Sequence, residues 1–155
     1  MSASIVSIHI ASESGGPLVQ LDEASLVPGK GIVGDRNFRQ EGARPDRQIT
    51  LVEEEKVAEF NRESGLAMQA DQTRRNLVTR GVDLNRLLGK RFRVGQTLLE
   101  GEDLCQPCAG LGALHANELF TQAQVVKGMV DRGGLRASIV EGGIVRPGDA
   151  ISVEE

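Results

Sequence analysis

Leu135-Arg136-Ala137-Ser138-Ile139-Val140-Glu141-Gly142-Gly143-Ile144-Val145-Arg146-Pro147-Gly148-Asp149-Ala150-Ile151-Ser152-Val153 holds three strand signals and two turn signals. Leu135, Ala137 and Ile139 alternate with polar or smaller neighbours, the period of a strand buried on one face. Gly142-Gly143 can reverse the chain into Ile144-Val145, and Arg146-Pro147-Gly148-Asp149 reads as a second turn before Ile151–Val153. Short strands punctuated this closely point to an all-β architecture.

The same grammar runs backward through the chain. Residues 4–11 alternate, with Val6, Ile8 and Ile10 expected on one face and Ser7 and His9 on the other. Leu18–Leu21 and Ala24–Val27 are short apolar pieces, Arg47–Leu51 and Asn76–Thr79 read as strands, and Phe92 and Val94 begin a strand that turns near Gly95-Gln96 and returns through Leu98-Leu99. Helices are fewer. Thr50 followed by Glu53 matches a capping box, Val57, Ala58 and Phe60 supply a stripe, and Gly65 is the stop. Asp83–Leu88 suggests one helical turn, and Val125, Val126, Met129 and Val130 suggest a second stripe, closed by Gly133-Gly134. The expectation is a mainly β single domain, a β-barrel with a few helical insertions.

Composition agrees. Glycine supplies 19 of 155 residues, about 12% against a usual ~7%. The net charge of −4 gives no field to draw the chain toward nucleic acid or an anionic membrane. No leader or membrane-length apolar run is visible, so a reducing cytoplasm is expected, where a close cysteine pair is more often chemical than structural. The cations are 14 Arg and 4 Lys, a bias toward the planar fork that suits phosphate and carboxylate.

Four stretches carry chemical interest. Gly29-Lys30-Gly31-Ile32-Val33-Gly34 fits a dinucleotide-binding string, but Pro28 precedes it and no apolar helical stripe follows, so its glycines shape a turn instead. Arg36, Arg39, Arg44 and Arg47 lie in one polar loop that either clasps an anion or pairs with Asp35, Glu41 and Asp46. Arg74-Arg75-Asn76 enters a strand, so one of the two arginines faces inward or toward a groove, either as an anion-binding feature or paired with Asp71 or a neighbouring Glu. Cys105-Gln106-Pro107-Cys108 fits a redox pair, half a zinc site, a single nucleophile or two inert thiols; His9 and His115 are poorly spaced to complete a zinc site.

Several segments together resemble the MOSC domain, the C-terminal part of molybdenum cofactor sulfurases. They are Gly31-Ile32-Val33-Gly34-Asp35-Arg36, Arg47-Gln48-Ile49-Thr50-Leu51, the run from Arg74 to Asn85, Leu88–Gly95, Cys105-Gln106-Pro107-Cys108, Gly133-Gly134-Leu135-Arg136-Ala137 and Gly148-Asp149. The resemblance implies a β-barrel fold and a cysteine that carries sulfur as a persulfide or ligates molybdenum. Cys108 is the better match and Cys105 the second choice. It further implies Arg36, Arg47, Arg75 and Asn76 as contacts to the phosphate of a molybdenum-bound pterin. Larger members add a pyridoxal-phosphate domain or an N-terminal β-barrel that 155 residues do not accommodate, so pyridoxal phosphate and desulfurase activity are not expected.

Two functions stay open on the sequence. One is sulfur transfer, or molybdenum-dependent reduction of N-hydroxylated compounds with a redox or sulfur-donor protein as partner. The other is a non-catalytic module that binds a phosphorylated metabolite or partner protein.

Overall fold

The computed structural model describes residues 3–105 and 132–153, with the side chains of residues 71 and 72 left out. The expected stripe at Val125–Val130, His115 and Cys108 lie outside these residues. Eleven strands and one α-helix are described. They are β1 (Ser4–Ile10), β2 (Val19–Leu21), β3 (Ala24–Val27), β4 (Gly31–Ile32), β5 (Ile49–Glu53), α1 (Glu54–Ser64), β6 (Leu77–Arg80), β7 (Arg91–Val94), β8 (Thr97–Leu104), β9 (Leu135–Glu141), β10 (Gly143–Val145) and β11 (Ile151–Val153). Among the described residues, no helix is long and apolar enough to cross a membrane.

Eight strands form one sheet in the order β11-β7-β8-β9-β5-β6-β1-β2, and β10-β3-β4 form a smaller one. The fold is mainly β, as the turn-rich sequence implies. The expected barrel is not closed by a continuous ladder. The start of β1 does fold back onto the segment before β11: Ile5 donates to the Asp149 carbonyl at 3.0 Å, Gly148 to Ile5 at 2.8 Å and Ile151 to Ala3 at 3.0 Å. β1, the strand next to the β2 edge, thus touches the segment leading into the β11 edge through a short bridge at Ser4 and Ala150.

The β5–β6 pair is parallel, and α1 makes the crossover that such a pair needs. These strands are covered on both faces, which is why Leu51-Val52 and Leu77-Val78 are unbroken apolar runs. Leu51 and Leu77 enter the main core with Ile5, Ile8, Phe92, Leu99 and Leu135. Val52 and Val78 face the other way, onto Val57, Phe60 and Met68.

Two local readings are corrected. Thr50 does not cap α1: Ile49, Thr50 and Leu51 pair with β9, and Leu51, Val52 and Glu53 with β6, so the strand continues to Glu53 and the helix begins at Glu54. No side-chain cap closes its N-terminus, whereas Gly65 ends it as expected, at φ 76°. Val6 does not share a face with Ile8, because a register shift between Ile5 and Ser7 sends Val6 to the α1 side.

The polar stretch 28–47 wraps one end of the sheet. Its glycines do turn the chain, since Gly29, Gly31 and Gly34 all have positive φ. Gln48 staples the loop down, donating to the Ala43 carbonyl at 3.1 Å and accepting the Ile139 N–H at 2.8 Å.

Candidate functional site

The loop, the approach to β6 and the face of β9 opposite the core meet at a cleft of about 240 Å³ lined by Arg36, Asn37, Asp46, Arg47, Thr50, Arg75 and Arg136. Each arrives by a different local rule. Arg36 and Asn37 follow the turn after β4. Asp46 and Arg47 sit on a 3-10 turn, Pro45–Arg47, opened by its proline. Thr50 and Arg136 are direct cross-strand partners on β5 and β9, so their side chains share a face. Arg75 stands just before β6 and donates Nε to the Gly133 carbonyl at 2.8 Å.

Three of the four expected cofactor contacts, Arg36, Arg47 and Arg75, therefore come together. The fourth does not join them. Asn76 is buried, and its amide accepts from Thr50 and donates to the His9 carbonyl. Of the other loop arginines, Arg39 folds back onto the carbonyls of Arg36 and Phe38, and Arg44 pairs with Asp46 at 3.2 Å. Arg74 holds the Gly16 carbonyl and is the one described non-glycine residue at positive φ, 64°. That strained turn separates the two adjacent arginines and leaves Arg75 at the cleft.

Arg136 is the residue that sequence reasoning passed over as a site. The signal was present, since alternation of Leu135, Ala137 and Ile139 into the core puts Arg136 on the opposite face. Its meeting with Arg75 required the strand order, which the sequence does not display.

Four guanidinium groups and one carboxylate make the cleft strongly electropositive. Holding like charges close without a counter-ion is unfavourable, and an anion relieves it. One atom is left incomplete: Arg36 Nη1 is buried and has no hydrogen-bond partner among the described residues. The nearest carboxylate oxygen, on Asp35, is 3.7 Å away, too far for a hydrogen bond.

Cys105 borders this site. Its backbone N–H donates to the Gly134 carbonyl at 2.7 Å, and its side chain is buried. Burial pushes the thiol up, while the guanidinium groups of Arg75 and Arg136 beside it pull it down. Among the described residues, no group of three or more His, Cys, Asp and Glu side chains is arranged to hold a metal ion.

The fold is similar to known structures along its whole length. The YuaD protein from Bacillus subtilis matches with a TM-score of 0.83 at 22% identity, over 99% of this chain and 96% of that one. YiiM from Geobacillus stearothermophilus matches with a TM-score of 0.70 at 18% identity, over 99% and 75%. YiiM from Escherichia coli matches at 0.67 and 20%, over 100% and 70%. No curated protein matches the sequence significantly. The MOSC domain profile matches residues 34–152, a span that contains the arginine cleft, and the chain belongs to the MOSC domain family.

Proposed function

We propose that this chain is a molybdenum cofactor- or sulfur-handling MOSC protein in which the arginine cleft grips a pterin phosphate and Cys108 supplies the thiolate. The observation that carries the reading is the convergence of Arg36, Arg47, Arg75 and Arg136 beside Cys105. Cys108 follows Cys105 by three residues in the sequence.

The described residues fit the phosphate end of the cofactor. Arg36 Nη1 is a buried donor without an acceptor, and a phosphate oxygen is a fitting one. The guanidinium forks of Arg75 and Arg136 add charge from the strand side, and Asn37 and Thr50 add short polar side chains. Cys108 would hold the metal through its thiolate, a soft ligand suited to molybdenum. The bound group would supply the redox chemistry for reducing an N-hydroxylated compound, with electrons from a partner protein; without it, Cys108 would carry sulfur as a persulfide.

A second reading, a non-catalytic binder of phosphorylated metabolites, is favoured by one observation. The described thiol beside the cleft, on Cys105, is buried and pushed away from its reactive form.

One experiment separates the readings. The protein and its Cys108→Ser variant are expressed with ample molybdate, and molybdenum, pterin and persulfide are measured alongside phosphate binding. The first reading expects the variant to keep phosphate binding and lose metal or persulfide. Equal loading of both proteins removes the role of Cys108. Phosphate binding with no metal, pterin or persulfide in the wild type supports the second.

A further inference from the structure

Arg36 reaches the cleft from a segment outside any helix or strand, yet its side chain is only 20% exposed and one nitrogen lacks an acceptor. Leaving a buried donor unsatisfied is unfavourable, so its surroundings must hold it there. The neighbouring carboxylate of Asp35 is nearly sealed, with a side chain 1% exposed. Both of its oxygens are engaged by main chain: Oδ1 accepts the Ala11 N–H at 3.2 Å, and Oδ2 accepts the Asn37 N–H at 3.3 Å. The Arg36 N–H in turn donates to the Ala11 carbonyl at 2.7 Å. Ala11, just past β1, is therefore clasped from both sides.

We infer that Asp35 is a positioning residue for anion binding, holding Arg36 in the cleft by charge while leaving its Nη1 hydrogens free for the ligand. The inference rests on the anion-binding reading of the cleft. The two main-chain N–H groups pin the carboxylate, so it does not swing round to form a bidentate pair with Arg36. At 3.7 Å it attracts the guanidinium without occupying it. The same carboxylate fixes Asn37, a second lining residue, through its backbone.

The inference has a sign that simple charge counting reverses. If Asp35 were only a negative charge near an anion site, its removal would tighten anion binding. As a positioning residue, its removal weakens it.

Titration of inorganic phosphate by calorimetry at low ionic strength, with folding checked by circular dichroism, tests this on the wild type, Asp35→Asn, Arg36→Ala and the double variant. Asp35→Asn should bind about tenfold more weakly, and the double variant no more weakly than Arg36→Ala alone. Unchanged or tighter binding by Asp35→Asn overturns the positioning role. An equal loss from Asp35→Asn in the Arg36→Ala background also overturns it, because the effect then bypasses Arg36. A wild type that binds no phosphate, or an Arg36→Ala variant that binds it normally, sinks the cleft reading and this inference together. If Asp35→Asn does not fold, Asp35→Glu keeps the charge, displaces the carboxylate and is judged by the same comparisons.

Discussion

The side-chain oxygen of Asn76 accepts both the backbone N–H and the hydroxyl of Thr50, at 3.0 and 3.1 Å, while that hydroxyl accepts the Asn76 N–H at 3.0 Å. The Asn76 amide nitrogen reaches on to the His9 carbonyl at 3.1 Å, and the His9 N–H returns to the Asn76 carbonyl at 2.7 Å. One buried residue thus joins β1, β5 and the entrance to β6.

Asn76→Ala should lower the unfolding free energy by about 2–4 kcal/mol, the cost of stranding several buried partners at once. Urea denaturation checks this. A loss below about 0.5 kcal/mol would show that these bonds contribute little.

Gly134 has φ 104°, and a Cβ there would lie 1.9 Å from the Leu51 carbonyl oxygen. Gly133 is as tight, with the Cys105 carbonyl oxygen 2.0 Å from where its Cβ would be. Gly134→Ala should cost about 3 kcal/mol or more, because the obstruction is backbone in a paired strand. Thermal melting is the measurement, and a melting temperature equal to the wild type would contradict the close approach.

Thiol chemistry should divide the cysteines. The Cys105 thiol is pushed up by burial, so less of it is thiolate at any given pH than for an ordinary cysteine. In Cys108→Ser, the remaining thiol should react slowly with a disulfide reagent at neutral pH and quickly after denaturation. The unfolded chain ionises first as pH rises, so Cys105 contributes stability below the ordinary thiol range, and this contribution is lost through its raised folded value. Rapid reaction of native Cys108→Ser at pH 7 would place Cys105 in the open.

The cleft arginines should not be equal. Arg47 is exposed, whereas Arg36, Arg75 and Arg136 are partly buried. Arg47→Ala should weaken phosphate binding only a few-fold, and added salt should erase the difference. Arg136→Ala should weaken it by about tenfold to a hundredfold with less dependence on salt. The reverse order would mean that the anion sits at the rim.

Glu53 lies buried where β5 meets α1, accepting the Leu84 N–H at 3.2 Å and pairing with Lys56 at 3.3 Å. Burial raises its carboxyl, with Lys56 opposing. A raised carboxyl contributes stability below the unfolded value, and this is lost as pH climbs through the folded one. Glu53→Gln should thus gain stability relative to the wild type at pH 7 and lose that advantage near pH 4. Denaturation midpoints at the two pH values check it, and a variant less stable at pH 7 would show that Lys56 outweighs desolvation.

Local patterning exposed most of the strands, because alternation and glycine turns are written into neighbouring residues. The pairing of β7 with β8, the stop at Gly65 and the turn before β11 were all legible in this way. The errors came where tertiary pairing overrode a local motif. Thr50 carries a helix-cap signature, yet its hydroxyl is claimed by Asn76, 26 residues on. Closure of a sheet depends on which edges meet, and no short window records that. The arginines of the site were visible as residue types but not as a set. Arg36 and Arg75 are far apart in sequence and become neighbours only when the loop and β6 are stapled to the same end of the sheet.

The Cys105 N–H donates to the Gly134 carbonyl at 2.7 Å, tying the end of β8 to the start of β9. That tie is made by main chain alone, so changing a side chain in either strand leaves its donor and acceptor in place. Arg75, which holds the Gly133 carbonyl, is thus anchored beside Arg136 through backbone.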